Sequence, residues 1–338
     1  MSDSQRPKDP QPPGSNRTSF LTRLRMVVSG WMGLNSTWIL IVALVLASGL
    51  SVTNPDFATK TNFLNVLMQL SVVAFMALGQ TFVIVGGGID LSMAGVLALS
   101  GVLGADTLVR TENIALGILV MLLVGLVFGV FNGLAVARVK MVPFIVTLST
   151  LVLTTGIAAL YTQGVTIGPV MASVRRIGSA GAFIIPIPSL TVGLMSLLLF
   201  YLLQRTAYGR SLYATGSSQL AARSSGIPTE RIIFSTYVIG GLAAGMAGLT
   251  LVARLGTGSS GMGGEVLILD AISAVVIGGA SLKGGRGTIL GTLAGVILIS
   301  LISNGLNLFG VSYFLTIIVK GVVIFLAVLL DALRTRAV

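Results

Sequence analysis

The sequence predicts an all-α polytopic membrane protein with about ten transmembrane helices, and three observations carry that expectation. Over 338 residues the chain is 54% hydrophobic and only 9% charged, with a mean hydropathy of +0.99, whereas soluble domains run near a quarter charged. Apolar runs close to the roughly 20 residues that cross a hydrocarbon layer recur along the chain. Lys and Arg fall mainly in the short intervals between those runs, as membrane topology requires.

Taken in order, residues 1–30 are polar and rich in Pro, Ser and Arg, which reads as a disordered cytoplasmic tail, and as part of a signal anchor in preference to a cleaved signal peptide. The integral membrane domain is 31–338. Its apolar runs are Trp38–Val52, Phe63–Val85, Leu91–Leu108, Ile114–Val136, Met141–Thr162, Ile187–Leu203, Ile232–Val252, Val266–Gly279, Thr288–Leu308 and Tyr313–Leu330. The third and eighth adjoin Gly-rich breaks and are the candidates for half-helices. With the tail inside, fifteen of the 21 Lys and Arg lie in inner segments. Lys60, Arg110, Arg175, Arg176 and Arg254 lie outside, and Lys320 sits within the last run. That bias puts both ends in the cytoplasm.

The chain contains no Cys and no His, which removes disulfides, thiolate nucleophiles, imidazole bases and the usual zinc ligands. No metal, no cofactor and no catalytic residue is expected. The net charge of +11 comes from the loops and points to the lipid bilayer, with no nucleic acid as partner. No nucleotide motif is present, because LKGGRGT at Leu282–Thr288 lacks the phosphate-loop spacing.

The 43 glycines are close to twice the usual share. The series Gly129 and Gly133, Gly241 and Gly245, and Gly287, Gly291 and Gly295 places small residues on one helix face, where backbones approach closely. Two segments rhyme: FVIVGGGIDLS at Phe82–Ser92 and AVVIGGASLKG at Ala274–Gly284. A duplicated transporter half and shared composition both account for that.

Asp90 follows Gly86–Gly88 between two apolar runs, where a carboxylate is costly unless paired or hydrated. Two readings stand: a gate or pathway residue, or a cap accepting from the free N–H groups of the next helix. Gln80, Asn132, Thr147, Ser149 and Asn304 are polar side chains inside apolar runs and must bond to something, either a neighbouring helix or a hydroxylated substrate. The longest polar stretch in the membrane domain, 204–231, contains a short helix candidate, Ser218–Ser225, ended by Gly226 and Pro228. It reads as a docking surface for a cytoplasmic partner or as a solvated loop.

Four motifs carry a resemblance: GGGIDLS at Gly86–Ser92, FNGLAVARVKMVPFIVTLST at Phe131–Thr150, GRSLYATGSSQLAARSSGI at Gly209–Ile227, and LDAISAVVIGGASLKGGRGTILGTLAG at Leu269–Gly295. From about Phe63 onward the chain resembles the integral permease subunits of bacterial binding-protein-dependent ABC importers, in the branch that carries ribose and related sugars. The resemblance implies an inner-membrane conduit fed by a periplasmic binding protein, driven by separate ATPase subunits and paired with a second copy or a paralogue. It also implies that 205–231 is similar to the cytoplasmic coupling segment. Within it Gly209, Tyr213, Ala214, Gly216, Ala221, Ala222, Arg223, Gly226 and Ile227 form the contact candidates, while Gln80, Asp90, Asn132, Thr147 and Asn304 are the pathway or gate candidates. Met93 and Ala94 replace the Val and Gly common after IDLS. Thr155 stands where an Arg often precedes Gly156, and Ile268 where an acidic residue often precedes Leu269. An ion-coupled secondary transporter is the competing reading. It usually shows paired intramembrane carboxylates or a His, and here only Asp90, Asp270, Asp331 and Lys320 lie in or near runs. A membrane enzyme needs a convergent acid, base or metal site, which the missing His and Cys disfavour.

Overall fold

In a computed structural model, residues 37–178 and 185–335 are described; the expected tail 1–30 lies outside them, as does the side chain of Asp331. Among the described residues thirteen helices follow one another: α1 Thr37–Thr53, α2 Lys60–Val85, α3 Met93–Thr111, α4 Ile114–Ala137, α5 Pro143–Thr162, α6 Ala172–Ile177, α7 Ile187–Arg205, α8 Ala207–Ser217, α9 Gln219–Ser224, α10 Thr229–Leu255, α11 Glu265–Ile277, α12 Ile289–Leu308 and α13 Tyr313–Thr335. The β pairing among the described residues is one antiparallel bridge, Ile167 to Gly258.

Seven helices among the described residues, α2, α3, α4, α5, α7, α10 and α12, are long and apolar enough to cross a membrane. The other three expected spans fall on α1, α11 and α13, whose apolar stretches are shorter. The third run is a 19-residue helix, long and apolar enough to span. The eighth is 13 residues, about 20 Å at 1.5 Å per residue, well short of the ~30 Å hydrocarbon layer.

The axis of the bundle is α2. Every residue from Ser71 to Val85 is buried, as expected of a helix apolar on all sides. Thr59 starts it by accepting the Asn62 N–H at 3.2 Å, and Asn113 and Thr288 do the same for α4 and α12 at 3.1 and 3.0 Å. Around α2, the most extensive packing joins α10 to α4, followed by α10 to α2.

Glycine makes the α4–α10 contact. A Cβ at Gly125 or at Gly241 would overlap the other residue's carbonyl oxygen, and one at Gly129 would lie 2.7 Å from the Tyr237 carbonyl. Close main-chain approach replaces the hydrophobic drive that lipid removes. The third small-residue series is shorter than expected. Gly291 and Gly295 pack on α11, but Gly287 lies in the loop before α12, against Val85 and Ala280.

The rhyme between the two Gly-rich segments is a shared helix stop. In α2 the N–H groups of Gly86, Gly87 and Gly88 donate to the carbonyls of Phe82, Ile84 and Val83 at 3.0, 2.9 and 2.9 Å. In α11 those of Gly278, Gly279 and Ala280 donate to Ala274, Val276 and Val275 at 2.9, 2.9 and 3.1 Å. Gly87 and Gly279 take the left-handed position, with φ of +85° and +92°, which this C-terminal motif requires.

Two ionisable groups in apolar helices satisfy one another: Lys320 Nζ on α13 donates to Asp270 Oδ2 on α11 at 2.6 Å. With 13% and 6% of these side chains exposed, either charge without the other would be a heavy desolvation cost.

Candidate functional site

The break after α2 carries Ile89, Asp90 and Leu91 through the protein interior before α3 begins. Asp90 is 1% exposed. Its Oδ1 accepts from the N–H of Ser92 at 2.9 Å and from the Ser92 hydroxyl at 2.5 Å. The expected cap is therefore corrected in detail: Asp90 folds the turn ahead of α3 and bonds Ser92, the residue that precedes the helix, rather than the free N–H groups of its first turn. Ser92 itself is already in helical φ and ψ.

From Ser92 a chain of buried side chains crosses three helices. Asn132 Nδ2 on α4 donates to Ser92 Oγ at 2.7 Å, and Thr150 Oγ1 on α5 donates to Asn132 Oδ1 at 2.7 Å. Gln80 on α2 closes the other side: with its amide turned so that donor faces acceptor, it donates to the Asp90 carbonyl at 3.1 Å and accepts the Asp90 N–H at 3.2 Å. The Thr147 hydroxyl lies 3.3 Å from the Ile89 carbonyl and 3.0 Å from that of Pro143. Four of the pathway candidates, Gln80, Asp90, Asn132 and Thr147, thus meet at one break, and each is buried. In a low dielectric such a network fixes geometry because any member left alone is costly.

Asn304 does not join them. It forms a reciprocal amide pair with Asn62, Asn62 Nδ2 to Asn304 Oδ1 at 3.1 Å and Asn304 Nδ2 to Asn62 Oδ1 at 2.7 Å, near the opposite end of α2. Ser149 is exposed and donates to the Ile145 carbonyl of its own helix at 2.8 Å, so neither reading made for it from sequence is supported by a contact. Of the departures from the family pattern, Met93, Ala94 and Ile268 are buried and fill packing positions, and Thr155 is exposed.

The polar segment 205–231 contains two short helices where one was expected. Thr206 starts α8 by accepting the Gly209 N–H at 3.3 Å, and Ser218 starts α9 by accepting that of Ala221 at 3.2 Å. The second helix ends in the same type of stop as α2, with Gly226 N–H to the Arg223 carbonyl at 2.9 Å, Ile227 N–H to that of Ala222 at 3.0 Å, and Gly226 at φ +78°.

Contacts sort the segment into two faces. Gly209 and Ala222 are buried, Tyr213, Ala214, Gly216 and Ile227 are half-buried, and Ala221, Arg223 and Gly226 are exposed. The sequence reading missed Leu220, an apolar side chain 78% exposed on α9; its signal was a lone Leu in a polar run. On the inner face, Tyr208 bonds Ser235 of α10 at 2.7 Å and stacks on Phe82 of α2. Tyr213 donates to the Gly287 carbonyl at 2.6 Å. Burial holds both phenols above the ordinary tyrosine range, so Tyr213 remains a proton donor at neutral pH.

Gly216, at the end of α8, touches both breaks. A Cβ there would overlap the Val85 carbonyl and lie 2.7 Å from the Gly285 nitrogen. Across from it, a Cβ at Gly284 would lie 2.6 Å from the Gly216 carbonyl and 2.9 Å from Gly87 Cα. A hydrogen bond from Gly285 N–H to the Val85 carbonyl, 2.9 Å, ties the two breaks together.

The family model described as "Branched-chain amino acid transport system / permease component" matches residues 62–328. The chain belongs to this permease family. Among curated relatives, the permease is 42% identical over 286 residues to the ribose import permease protein RbsC of Bacillus subtilis, covering 83% of this chain and 88% of that one. It is 39% identical over 318 residues to RbsC of Escherichia coli strain K12, covering 90% and 97%. It is 34% identical over 311 residues to the L-arabinose ABC transporter permease protein AraH of Azospirillum brasilense, covering 90% and 89%. No solved structure matches the permease. Its membership and its seven spanning-length helices make it a multi-pass protein of the bacterial inner membrane.

Proposed function

We infer that this permease is the membrane conduit of an ABC importer for a ribose-class monosaccharide, delivered by a periplasmic binding protein and driven by ATPase subunits that grip the 205–231 segment. The two relatives named for ribose, at 42% and 39% identity, support the sugar. The observation that carries the mechanism is Gly216. It seats the polar segment on both helix breaks at once, while Leu220, Ala221 and Arg223 on the adjoining helix stand exposed. Movement of a partner bound to α9 would reach the Asp90 network through main-chain contacts with no soft side chain between. A nucleotide on the partner can shift the bundle only by favouring one of its states over the other. A second copy or paralogue completes the pathway in this reading.

Uptake into proteoliposomes tests it. Radiolabelled ribose is expected to enter when the permease is assembled with its ATPase and binding protein and supplied with ATP, and to keep entering when ion gradients are collapsed. Gradient-driven uptake by the permease alone would establish a secondary carrier instead. Gly226→Pro separates docking from folding, because proline cannot adopt φ +78° and has no N–H to give Arg223. Membrane insertion is expected to persist and ATPase recruitment in a pull-down to fail; normal recruitment would remove α9 as the docking element.

A further inference from the structure

Between the polar segment and the α4–α5 loop lies a cavity of about 380 Å³, a volume in the range of small-molecule sites. Two cations stand at its wall, Lys140 and Arg223. They share one carboxylate, Glu230, each at 3.8 Å, so one positive charge is left over. Arg223 Nε is bonded to Thr229 at 2.8 Å, which fixes the guanidinium. Val142 and Pro143 bring the start of α5 into the same wall. That helix has 20 residues and no side chain capping its first turn; Pro143 has no N–H and those of Ile145 and Val146 donate to the Val142 carbonyl at 3.1 and 3.2 Å, which leaves the Phe144 N–H free of a helix partner. Tyr237, 1% exposed, also lines the cavity, and its hydroxyl, which has no hydrogen-bond partner among the described residues, lies against Gly88 of the same wall.

The left-handed position at helix stops holds glycine at Gly87, Gly226, Gly279 and Gly310, and a residue with a side chain at Glu112, Lys140 and Gln163. The stop of α4 places Lys140 there, at φ +63°, with Met141 N–H bonded to the Ala135 carbonyl at 3.1 Å. Beside it, Val139, Met141, Val142, Phe144 and Ile145 expose apolar side chains that suit hydrocarbon rather than water.

We propose that this cavity holds the phosphate-ester headgroup of an anionic phospholipid, with Lys140 and Arg223 on the phosphate, Tyr237 as a buried donor, and the acyl chains along the exposed start of α5. Basic pockets between helices at a membrane surface recognise such headgroups. The occupant would bridge the α4–α5 loop and the 205–231 segment, a consequence independent of which sugar is carried.

The test uses the full chain in detergent with three probes: dihexanoyl phosphatidic acid, dihexanoyl phosphatidylcholine and glycerol 3-phosphate. Phosphatidic acid is expected to raise the melting temperature in a concentration-dependent way, more than tenfold more tightly than either other probe. The Lys140→Gln, Arg223→Gln double variant is expected to weaken it about tenfold or more. Lys140→Gly is expected to melt higher than the parent without ligand, since glycine suits φ +63°, and yet to lose affinity. Equal binding of phosphatidylcholine, or unchanged binding by the double variant and by Lys140→Gly, overturns the anion site. Equal binding of glycerol 3-phosphate overturns the lipid as its source.

Discussion

The breaks after α2 and after α11 stop their helices with the same three hydrogen bonds and the same left-handed glycine, yet continue differently. After Gly88 the chain stays inside, and Asp90 is bonded by Ser92 through its side chain and by Gln80 through its main chain. After Ala280 it turns outward through Ser281–Gly287, closing on itself with Ser281 N–H to the Arg286 carbonyl at 3.1 Å, and leaves Lys283 and Arg286 exposed. A helix stop is thus a neutral device. The next few residues of the chain decide whether the freed backbone organises a buried polar network or offers a platform, here the one on which α8 rests.

Substitutions can break or sharpen that contrast. The largest effect is expected at Gly216, the residue common to both breaks: Gly216→Val has no side chain to push aside at the Val85 carbonyl, so ATP-driven uptake per inserted permease should fall to background. Uptake near the parent level would separate α8 from the breaks. Next, Asn132→Leu removes a donor to Ser92 and an acceptor from Thr150, at a cost of about 1–3 kcal/mol in detergent denaturation. Ser281→Ala at the other break loses one 3.3 Å bond from Lys283 N–H and should cost about 0.5 kcal/mol; similar losses would mean that the two breaks are equally dependent on side chains. Gly87→Ala and Gly279→Ala, which share a backbone conformation, should each lose roughly 1–2 kcal/mol, and a large inequality would end the claim of a common stop. Smallest of all, Lys283→Gln with Arg286→Gln should move stability by less than about 0.5 kcal/mol.

The spans were legible because hydrocarbon demands long apolar runs, and the break was legible because three glycines before an Asp have few other uses in lipid. The assembly around it was not. Residues 80, 90, 132 and 147 each looked like isolated polar side chains, and only helix packing shows that they share one point while Asn304 pairs with Asn62 far from it. Ser92 and Thr150 were passed over because a hydroxyl in a helix so often bonds its own backbone, as Ser149 does. Helix α8 was hidden by composition: AYGRSLYATGS has two glycines and is polar overall, and its helicity comes from burying Leu212 and Gly209 against the bundle. The stop after α11, by contrast, was foreshadowed by its rhyme with the one after α2.

The contact between α4 and α10 has a further consequence. Because main chain meets main chain there, no rotamer change can let one helix slide over the other, and dense packing of this kind transmits displacement instead of absorbing it. The two behave as a single slab. A rearrangement large enough to admit a solute must therefore open along seams where side chains meet, such as that between α2 and α12, where the hydroxyls of Thr81 and Thr292 touch at 2.8 Å and can exchange partners without tearing backbone apart.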